Sequence, residues 1–170
     1  MVMTTNEVTT SQAQRLPEHS PRLDWGKLAP EVYRAMIRLE TAAQKGVEPT
    51  LFLLVKIRAS QINHCAFCLD MHTKDALAAG ESIDRIIQLN ALDESKHFYT
   101  AKEIAALELT EAVTVLTDGF VPDEVYAKAA QEFDETELAH LLGAITAINA
   151  WNRFGVSTRM VPGHYTPGDF

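Results

Sequence analysis

The stretch PTLFLLVKIRASQINHCAFCLDMHTKDALAAG, residues 49–80, carries the strongest structural and chemical signals in the chain. Its first half, residues 49–63, is apolar on nearly all sides, which is typical of a helix buried within a core. Its second half, residues 65–80, ends in a glycine, a residue that commonly stops a helix. Between the two halves lie the only two cysteines, Cys65 and Cys68. The stretch therefore predicts two consecutive helices with a dithiol at the start of the second.

Helical signals recur along the rest of the chain, whereas the alternation expected of β-strands does not. Residues 30–46 begin with a proline and end with a glycine, which are typical of the first position and the end of a helix. Thr100 with Glu103, and Asp134 with Glu137, fit the pattern of a capping box at a helix start. We therefore predict an all-α bundle of six or seven helices, the remaining ones spanning residues 83–92, 100 to about 119, 122–133 and 134 to about 153.

The length of 170 residues suits one domain with one sizeable core. Residues 1–22 are polar with little periodic apolar signal, so we predict a mobile N-terminal tail followed by a single helical domain, residues 23–170. The helical pattern predicts a core built from Leu54, Val55, Ile62, Ile86, Ile104, Leu109, Leu141, Ile145 and Ile148.

The composition argues against several classes of partner. The formal net charge is −8 and Lys and Arg are not clustered, so we expect neither nucleic acid nor an anionic membrane surface as a partner. The longest uncharged run, residues 138–152, is too short and too polar to span a bilayer. The N-terminus lacks the basic start and apolar block of a secretory signal, so we expect a cytoplasmic protein. In a reducing cytosol, neighbouring cysteines favour catalysis or metal binding over a permanent disulfide.

The spacing of Cys65, Cys68 and His72 places all three on one face of the second helix. Residues three or four apart are neighbours on a helix surface. Cα atoms three residues apart sit roughly 5 Å from each other, which is within reach of a disulfide. Near a helix start, unpaired N–H groups and the helix dipole lower the pKa of a cysteine thiol. His72 lowers this pKa further when it is protonated, or accepts the thiol proton when it is neutral.

This arrangement suits a thiolate that attacks an O–O or an S–S bond. Attack on a peroxide yields a sulfenic acid, which a second thiol converts to a disulfide, and an external thiol then reduces that disulfide by exchange. Two other interpretations stay open. The cysteines could pack as small apolar residues, or form half of a zinc site. The histidines available to such a zinc ion are His64, His72, His97 and His140.

The segment VKIRASQINHCAFCLDMHTKDALAAGES, residues 55–82, resembles the alkylhydroperoxidase (AhpD-like) core of the carboxymuconolactone decarboxylase superfamily. The resemblance continues through ALELTEAVT, residues 106–114, and AINAWNRFGVSTRMVPG, residues 147–163, and it covers roughly residues 24–165. It implies an AhpD-like helical bundle that assembles as a homo-oligomer, whether dimer, trimer or hexamer. The decarboxylase branch lacks the C-x-x-C pair, so its presence favours the peroxidase-like branch.

By the same resemblance, Cys68 is the thiol that attacks the peroxide, Cys65 is the resolving thiol, and His72 belongs to the proton relay. The implied activity is that of an antioxidant peroxidase that reduces small-molecule hydroperoxides. It takes its electrons from a thiol or dithiol reductant and needs no metal, flavin or haem. The spacing by itself pairs His72 with Cys68 but does not choose between the two thiols.

One position departs from the family pattern. The family has a glutamate twelve residues before the first cysteine, where it completes the relay with the histidine, and here that position is Leu53. Without compensation, we expect proton transfer to be slower by a factor on the order of 10²–10⁴. His64 could serve as an accessory base, and Tyr33 or Glu48 could reach the site. The alternative function is a dithiol–disulfide oxidoreductase or redox sensor with weak or no peroxidase activity.

Overall fold

The computed structural model describes residues 16–169, which form helices and connecting segments without any β-strand. The predicted all-α class is therefore confirmed for this part of the chain. Two short 3-10 segments, Leu89–Glu94 and Lys96–Phe98, precede the helix that begins at Ala101. The α-helices are α1 (Trp25–Leu28), α2 (Pro30–Gln44), α3 (Pro49–Ile62), α4 (Ala66–Ala78), α5 (Ile83–Gln88), α6 (Ala101–Thr114), α7 (Asp123–Glu132) and α8 (Glu135–Thr158).

Helices α2 to α8 correspond to the seven segments predicted from the sequence, and both predicted capping boxes form, at the starts of α6 and α8. Helix α1 is not predicted, because a single turn with one buried residue, Trp25, leaves no periodic pattern. Among residues 16–169, no helix is both long enough and apolar enough to cross a membrane.

Three of the predicted helix ends are wrong. Helix α5 ends at Gln88 rather than at Leu92, and the 3-10 segment that follows has non-helical backbone angles at Ala91. Helix α6 ends at Thr114 rather than near Gly119, because the next residue leaves helical geometry at φ −110° and ψ 63°. Helix α8 continues past Arg153 to Thr158. Gly155 does not end it, because this glycine remains within the helix and lies against the cysteines, as described below.

The beginning of the described chain lies beside the end of α8. Of the predicted tail, residues 1–15 fall outside the described part of the chain. Residues 16–22 are not helical, and the backbone N–H of Arg22 donates to the carbonyl of Thr158 at 2.7 Å. A second contact joins His164 to Glu18 at 2.9 Å.

Helix α3 is the central element, and it packs against α4, α6 and α8. Its apolar residues contribute to two buried clusters, one shared with α6, α7 and α8 and the other with α4, α5 and α6. This explains why its sequence is apolar on nearly all sides. Seven of the nine predicted core residues are buried. The prediction is wrong for Ile62, at the end of α3, and for Ile104, near the start of α6, since both are only half-buried.

An aromatic cluster joins α1 and α2 to α8. The ring of Trp25 stacks on Phe154, with centroids 3.8 Å apart. Tyr33 of α2 meets Trp151 of α8 edge to face, with centroids 5.5 Å apart, and Trp25 contacts both of these rings. Contacts of this kind favour a defined geometry as well as burial. The cluster therefore fixes the position of α2, which forms one wall of the cavity described below.

A buried polar cluster holds the turn between α3 and α4. The side-chain amide of Asn63 donates to Oδ1 of Asn149 and to Oδ1 of Asn152, each at 2.9 Å. Asn152 in turn donates to Ser60 Oγ at 3.0 Å, and Arg153 donates to Asn63 Oδ1 at 3.3 Å. A buried amide left without a hydrogen bond would cost about 1–3 kcal/mol of stability, so the amides of this cluster favour the conformation that keeps their partners. The cluster thereby ties the residues just before Cys65 to α8.

We expect His64→Gly to stabilise the protein by about 0.5–1 kcal/mol, because His64 has a left-handed backbone with φ 54° that costs an L-residue about 1–2 kcal/mol. The matched control is Ala79→Gly, at the end of α4 with φ −77°, which should destabilise the protein. Urea unfolding of the oxidised protein measures both changes. A loss of stability in His64→Gly would show that the imidazole makes a contact stronger than the backbone strain.

Candidate functional site

Cys65 and Cys68 form a disulfide at the start of α4. Cys65 is the N-cap residue, and its sulfur accepts a hydrogen bond from the backbone N–H of Cys68 at 3.4 Å. Their Cα atoms are 5.4 Å apart, in agreement with the distance expected from helical spacing. Both residues are buried, with exposed fractions of 2% and 3%. The C-x-x-C pair therefore lies in bonding contact at a helix N-terminus, where the helix dipole stabilises negative charge.

The two sulfurs have different surroundings. A Cβ atom placed on Gly155 of α8 would lie 2.7 Å from the sulfur of Cys65 and 3.5 Å from that of Cys68. On its other side, Cys68 lines a cavity of about 500 Å³, whereas Cys65 is not among the described residues that line it. A small molecule in the cavity would therefore contact Cys68 rather than Cys65.

His72 follows Cys68 by one helical turn and lines the same cavity. Burial disfavours the charged imidazole and lowers the pKa of His72 from 6.5 to about 4. The positive charge of Lys56 lowers this pKa further, while Asp75 and Glu40 oppose the shift. Of the two roles that the sequence leaves open, the structure favours proton acceptance, because the imidazole is neutral at pH 7.

Charged side chains from two further helices flank His72. Lys56 of α3 forms an ion pair with Glu40 of α2, and both residues line the cavity. On α4 itself, Asp75 Oδ2 lies 3.7 Å from His72 Nδ1. Lys56 therefore contributes a positive charge close to the imidazole, with carboxylates on two helices around it.

Tyr165, from the segment after α8, completes this group. Its hydroxyl donates to Asp75 Oδ1 at 2.5 Å. Burial and this donation raise the pKa of Tyr165 to about 12. Partial burial raises the pKa of Asp75, but His72 and the Tyr165 hydroxyl together lower it below its ordinary value. At neutral pH, Asp75 is therefore charged and Tyr165 is a hydrogen-bond donor.

Leu53 also lines the cavity, and it packs against the second buried cluster. The position at which the family pattern has a glutamate thus faces the same space as Cys68 and His72, but here it supplies no carboxylate. The rest of the cavity wall is mainly apolar and aromatic. Its largest members are Tyr33 and Ile37 of α2, Phe52 of α3, Phe67 and Met71 of α4, Trp151 of α8, and Met160.

The other residues considered from the sequence lie elsewhere or act differently. His64 is exposed and is not among the described residues lining the cavity. Glu48 caps α3 by accepting from the N–H groups of its first turn, whereas Tyr33 does reach the cavity. Within residues 16–169, no group of three or more His, Cys, Asp or Glu side chains is placed to hold a metal ion.

The cavity residues that were not identified as site residues from the sequence include Glu40, Lys56, Asp75, Trp151 and Tyr165. A local signal existed only for Asp75, which follows His72 by three residues on one helix. Glu40 and Tyr165 approach from distant parts of the chain, so no spacing rule connects them to the cysteines.

The all-helical bundle matches the AhpD-like fold. The chain belongs to the carboxymuconolactone decarboxylase family, whose model matches residues 30–112. It is 41% identical over 139 residues to YdfG of Bacillus subtilis (strain 168), an uncharacterized protein, covering 81% of this chain and 94% of YdfG.

A crystal structure also resembles the chain. It is that of ATU0492 from Agrobacterium tumefaciens, a protein of unknown function that has been proposed to be the antioxidant defence protein AhpD. The two chains share 35% sequence identity and superpose with a TM-score of 0.82, covering 86% of this chain and 100% of that chain.

We expect Gly155→Ala to destabilise the oxidised protein by about 1–3 kcal/mol, because the added methyl group would overlap the sulfur of Cys65. The matched control is Gly143→Ala in the same helix, where the added Cβ would lie 3.3 Å from the Cβ of Ala43, a smaller overlap that should cost less stability. Thermal unfolding of both oxidised variants measures the difference. Equal stability of the two variants would contradict the close contact at Gly155.

The pKa of His72 predicts a specific loss of stability in mild acid. Between pH 6.5 and about 4, the unfolded chain binds a proton at His72 that the native protein does not. The free energy of unfolding should therefore fall as the pH drops, by about 2 kcal/mol between pH 7 and pH 5 from this residue. Urea unfolding of the oxidised protein at both pH values measures the loss.

His72→Gln should lack this contribution, whereas His64→Gln, at an exposed histidine, should retain it. An unchanged pH dependence in His72→Gln would show that the imidazole is not held neutral by burial.

Proposed function

We propose that this protein is a thiol-dependent peroxidase of the alkylhydroperoxidase type, which reduces small-molecule hydroperoxides through a Cys65/Cys68 dithiol–disulfide cycle. The observation that carries the proposal is the shared cavity: Cys68 and His72 line it together, and Cys65 lies within disulfide distance behind Cys68. The antioxidant role proposed for ATU0492 supports the same function.

In the reduced protein, the thiol of Cys68 transfers its proton to neutral His72, and the thiolate attacks the terminal oxygen of the hydroperoxide. The S–O bond forms as the O–O bond breaks, and the alkoxide takes the proton back from His72 and leaves as an alcohol. Cys68 is now a sulfenic acid. The thiol of Cys65 attacks its sulfur, so that the S–S bond forms, the S–O bond breaks and water leaves.

The cycle closes when an external thiol or dithiol reduces the disulfide by exchange and is itself oxidised to a disulfide. This step requires a compartment that supplies thiols, such as the cytosol. We also propose that the protein forms homo-oligomers. Three apolar residues of α2, Val32, Ile37 and Leu39, are between 39% and 41% exposed, which supports self-association through this helix.

The second candidate is a dithiol–disulfide oxidoreductase or redox sensor with little peroxidase activity. Leu53 favours it, because this side chain occupies the position of the family glutamate in the cavity wall. The two candidates share the cysteine pair and differ in whether hydroperoxide is the oxidant.

A single-turnover reaction separates them. We expect the pre-reduced protein to form the Cys65–Cys68 disulfide when mixed with cumene hydroperoxide, and to release one cumyl alcohol per chain. Mass spectrometry and chromatography measure the two products. Cys68→Ser should abolish both, whereas Cys65→Ser should stop at a sulfenic acid on Cys68 that dimedone labels.

The oxidoreductase would be established instead if a small oxidised dithiol produced the disulfide while hydroperoxide produced none, and if alcohol release from hydroperoxide did not exceed that of Cys68→Ser. Cys65→Ala is a second resolving-thiol variant that guards against an effect of the serine hydroxyl.

A further inference from the structure

His72 lacks a hydrogen-bond partner on one side of its ring. Its Nδ1 atom is fully buried and makes no hydrogen bond among the described residues. A buried nitrogen without a hydrogen bond lowers the stability of the protein by on the order of 1–3 kcal/mol, so such atoms are rare and usually have a specific reason. The nearest acidic group is Asp75, whose Oδ2 atom lies 3.7 Å from Nδ1.

Charged and titratable groups from three helices and from the segment after α8 line the cavity with His72, Tyr33 of α2 among them. Lys56 extends from α3, Glu40 from α2, Cys68 and Asp75 from α4 itself, and Tyr165 from the segment after α8. The carboxylate of Glu40 is already paired with Lys56. Asp75 is therefore the carboxylate that faces Nδ1.

The orientation of Asp75 is determined by the segment after α8. The Tyr165 hydroxyl donates to Oδ1 of Asp75 at 2.5 Å, which leaves Oδ2 turned towards the imidazole. This segment is itself attached to α4, because the N–H of Gly163 donates to Asp70 Oδ2 at 2.9 Å and Lys74 donates to the carbonyl of Tyr165 at 2.9 Å.

We propose that Asp75, oriented by Tyr165, is the positioning carboxylate for His72 and replaces the glutamate that the family pattern has at the position of Leu53. The inference rests on the proposed proton transfer between Cys68 and His72. A carboxylate beside Nδ1 favours the tautomer with its proton on that nitrogen, so that the lone pair of Nε2 is free to accept the thiol proton.

Asp75 also stabilises the imidazolium that forms when Cys68 ionises. The separation of 3.7 Å is longer than a hydrogen bond in the disulfide state, and such contacts shorten when charge develops on the ring. Because the site is buried, attraction between the carboxylate and the imidazolium is stronger than it would be in water. Asp75 acts through His72 and does not itself touch the reacting sulfur.

The experiment uses two readouts in the reduced full-length protein, neither of which needs peroxide. Two-bond ¹H–¹⁵N spectra identify which nitrogen of His72 carries the proton. Iodoacetamide alkylation of Cys68, in a Cys65→Ser background, gives the thiol reactivity as a function of pH. The variants are Asp75→Asn, Tyr165→Phe and the matched control Asp70→Asn, which also loosens the segment after α8 but lies outside the residues lining the cavity.

We expect wild-type His72 to carry its proton on Nδ1, and Asp75→Asn to shift the population towards Nε2. Alkylation of Cys68 at pH 7 should slow by about 10- to 100-fold, by analogy with the loss of activity when the hydrogen-bond partner of a metal-bound histidine is removed, and its pH profile should move upward. Tyr165→Phe should produce a smaller change in the same direction. Asp70→Asn acts only through the attachment of the segment after α8, so it should change the tautomer and the alkylation rate no more than Tyr165→Phe does.

The sign of the effect distinguishes positioning from simple electrostatics, because removing a negative charge near Cys68 would by itself lower the thiol pKa and speed alkylation. An unchanged tautomer in Asp75→Asn, faster alkylation, or an equal loss in Asp70→Asn would overturn the inference. A protein that forms no disulfide with hydroperoxide would refute the proposed peroxidase but still answer the question about Asp75.

Discussion

The structure depends on the close approach of two helices at one point, where the first turn of α4 lies against Gly155 of α8. There is no room for a side chain at position 155, because the sulfur of Cys65 occupies that space. The polar cluster centred on Asn63 keeps the preceding turn in register with α8. Cys65 is enclosed in this way, whereas Cys68 lines the cavity. The two cysteines therefore have different environments, although the C-x-x-C pattern does not distinguish them.

Burial determines the electrostatics of the cavity. A histidine in water is partly charged near neutral pH, but enclosure and the charge of Lys56 keep His72 neutral there. A neutral imidazole carries no positive charge, but it can accept a proton as a base. Positive charge then comes from Lys56 in the cavity wall and from the start of α4, neither of which has to lose a proton during the proposed cycle.

The same enclosure explains why the surroundings of His72 come from several distant segments. A buried ionisable group is tolerated when polar partners compensate for its desolvation. Glu40 is part of α2, which the aromatic cluster around Trp25 holds against α8. Tyr165 lies in the segment after α8, and hydrogen bonds to Asp70 and Lys74 attach this segment to α4. The site is therefore assembled by tertiary contacts around a motif that is local in sequence.

Much of the fold was predictable from the sequence, because hydrophobic periodicity and helix caps are local properties. They located seven helices, the burial of α3 and the disulfide distance between Cys65 and Cys68. They failed at α1, which is too short to show a period, and at the ends of α5, α6 and α8. Helix α8 continues past the predicted end near Arg153, and Gly155 within it serves a contact between helices.

The sequence by itself determined the helical class and the alignment of two thiols and a histidine on one helix face, since these follow from spacings of three and four residues. Only the tertiary structure decided which sulfur meets the cavity, that His72 is neutral, and that Asp75 and Tyr165 stand beside it. These properties arise from burial and from contacts between residues as far apart as 75 and 165. Local sequence patterns cannot predict such contacts.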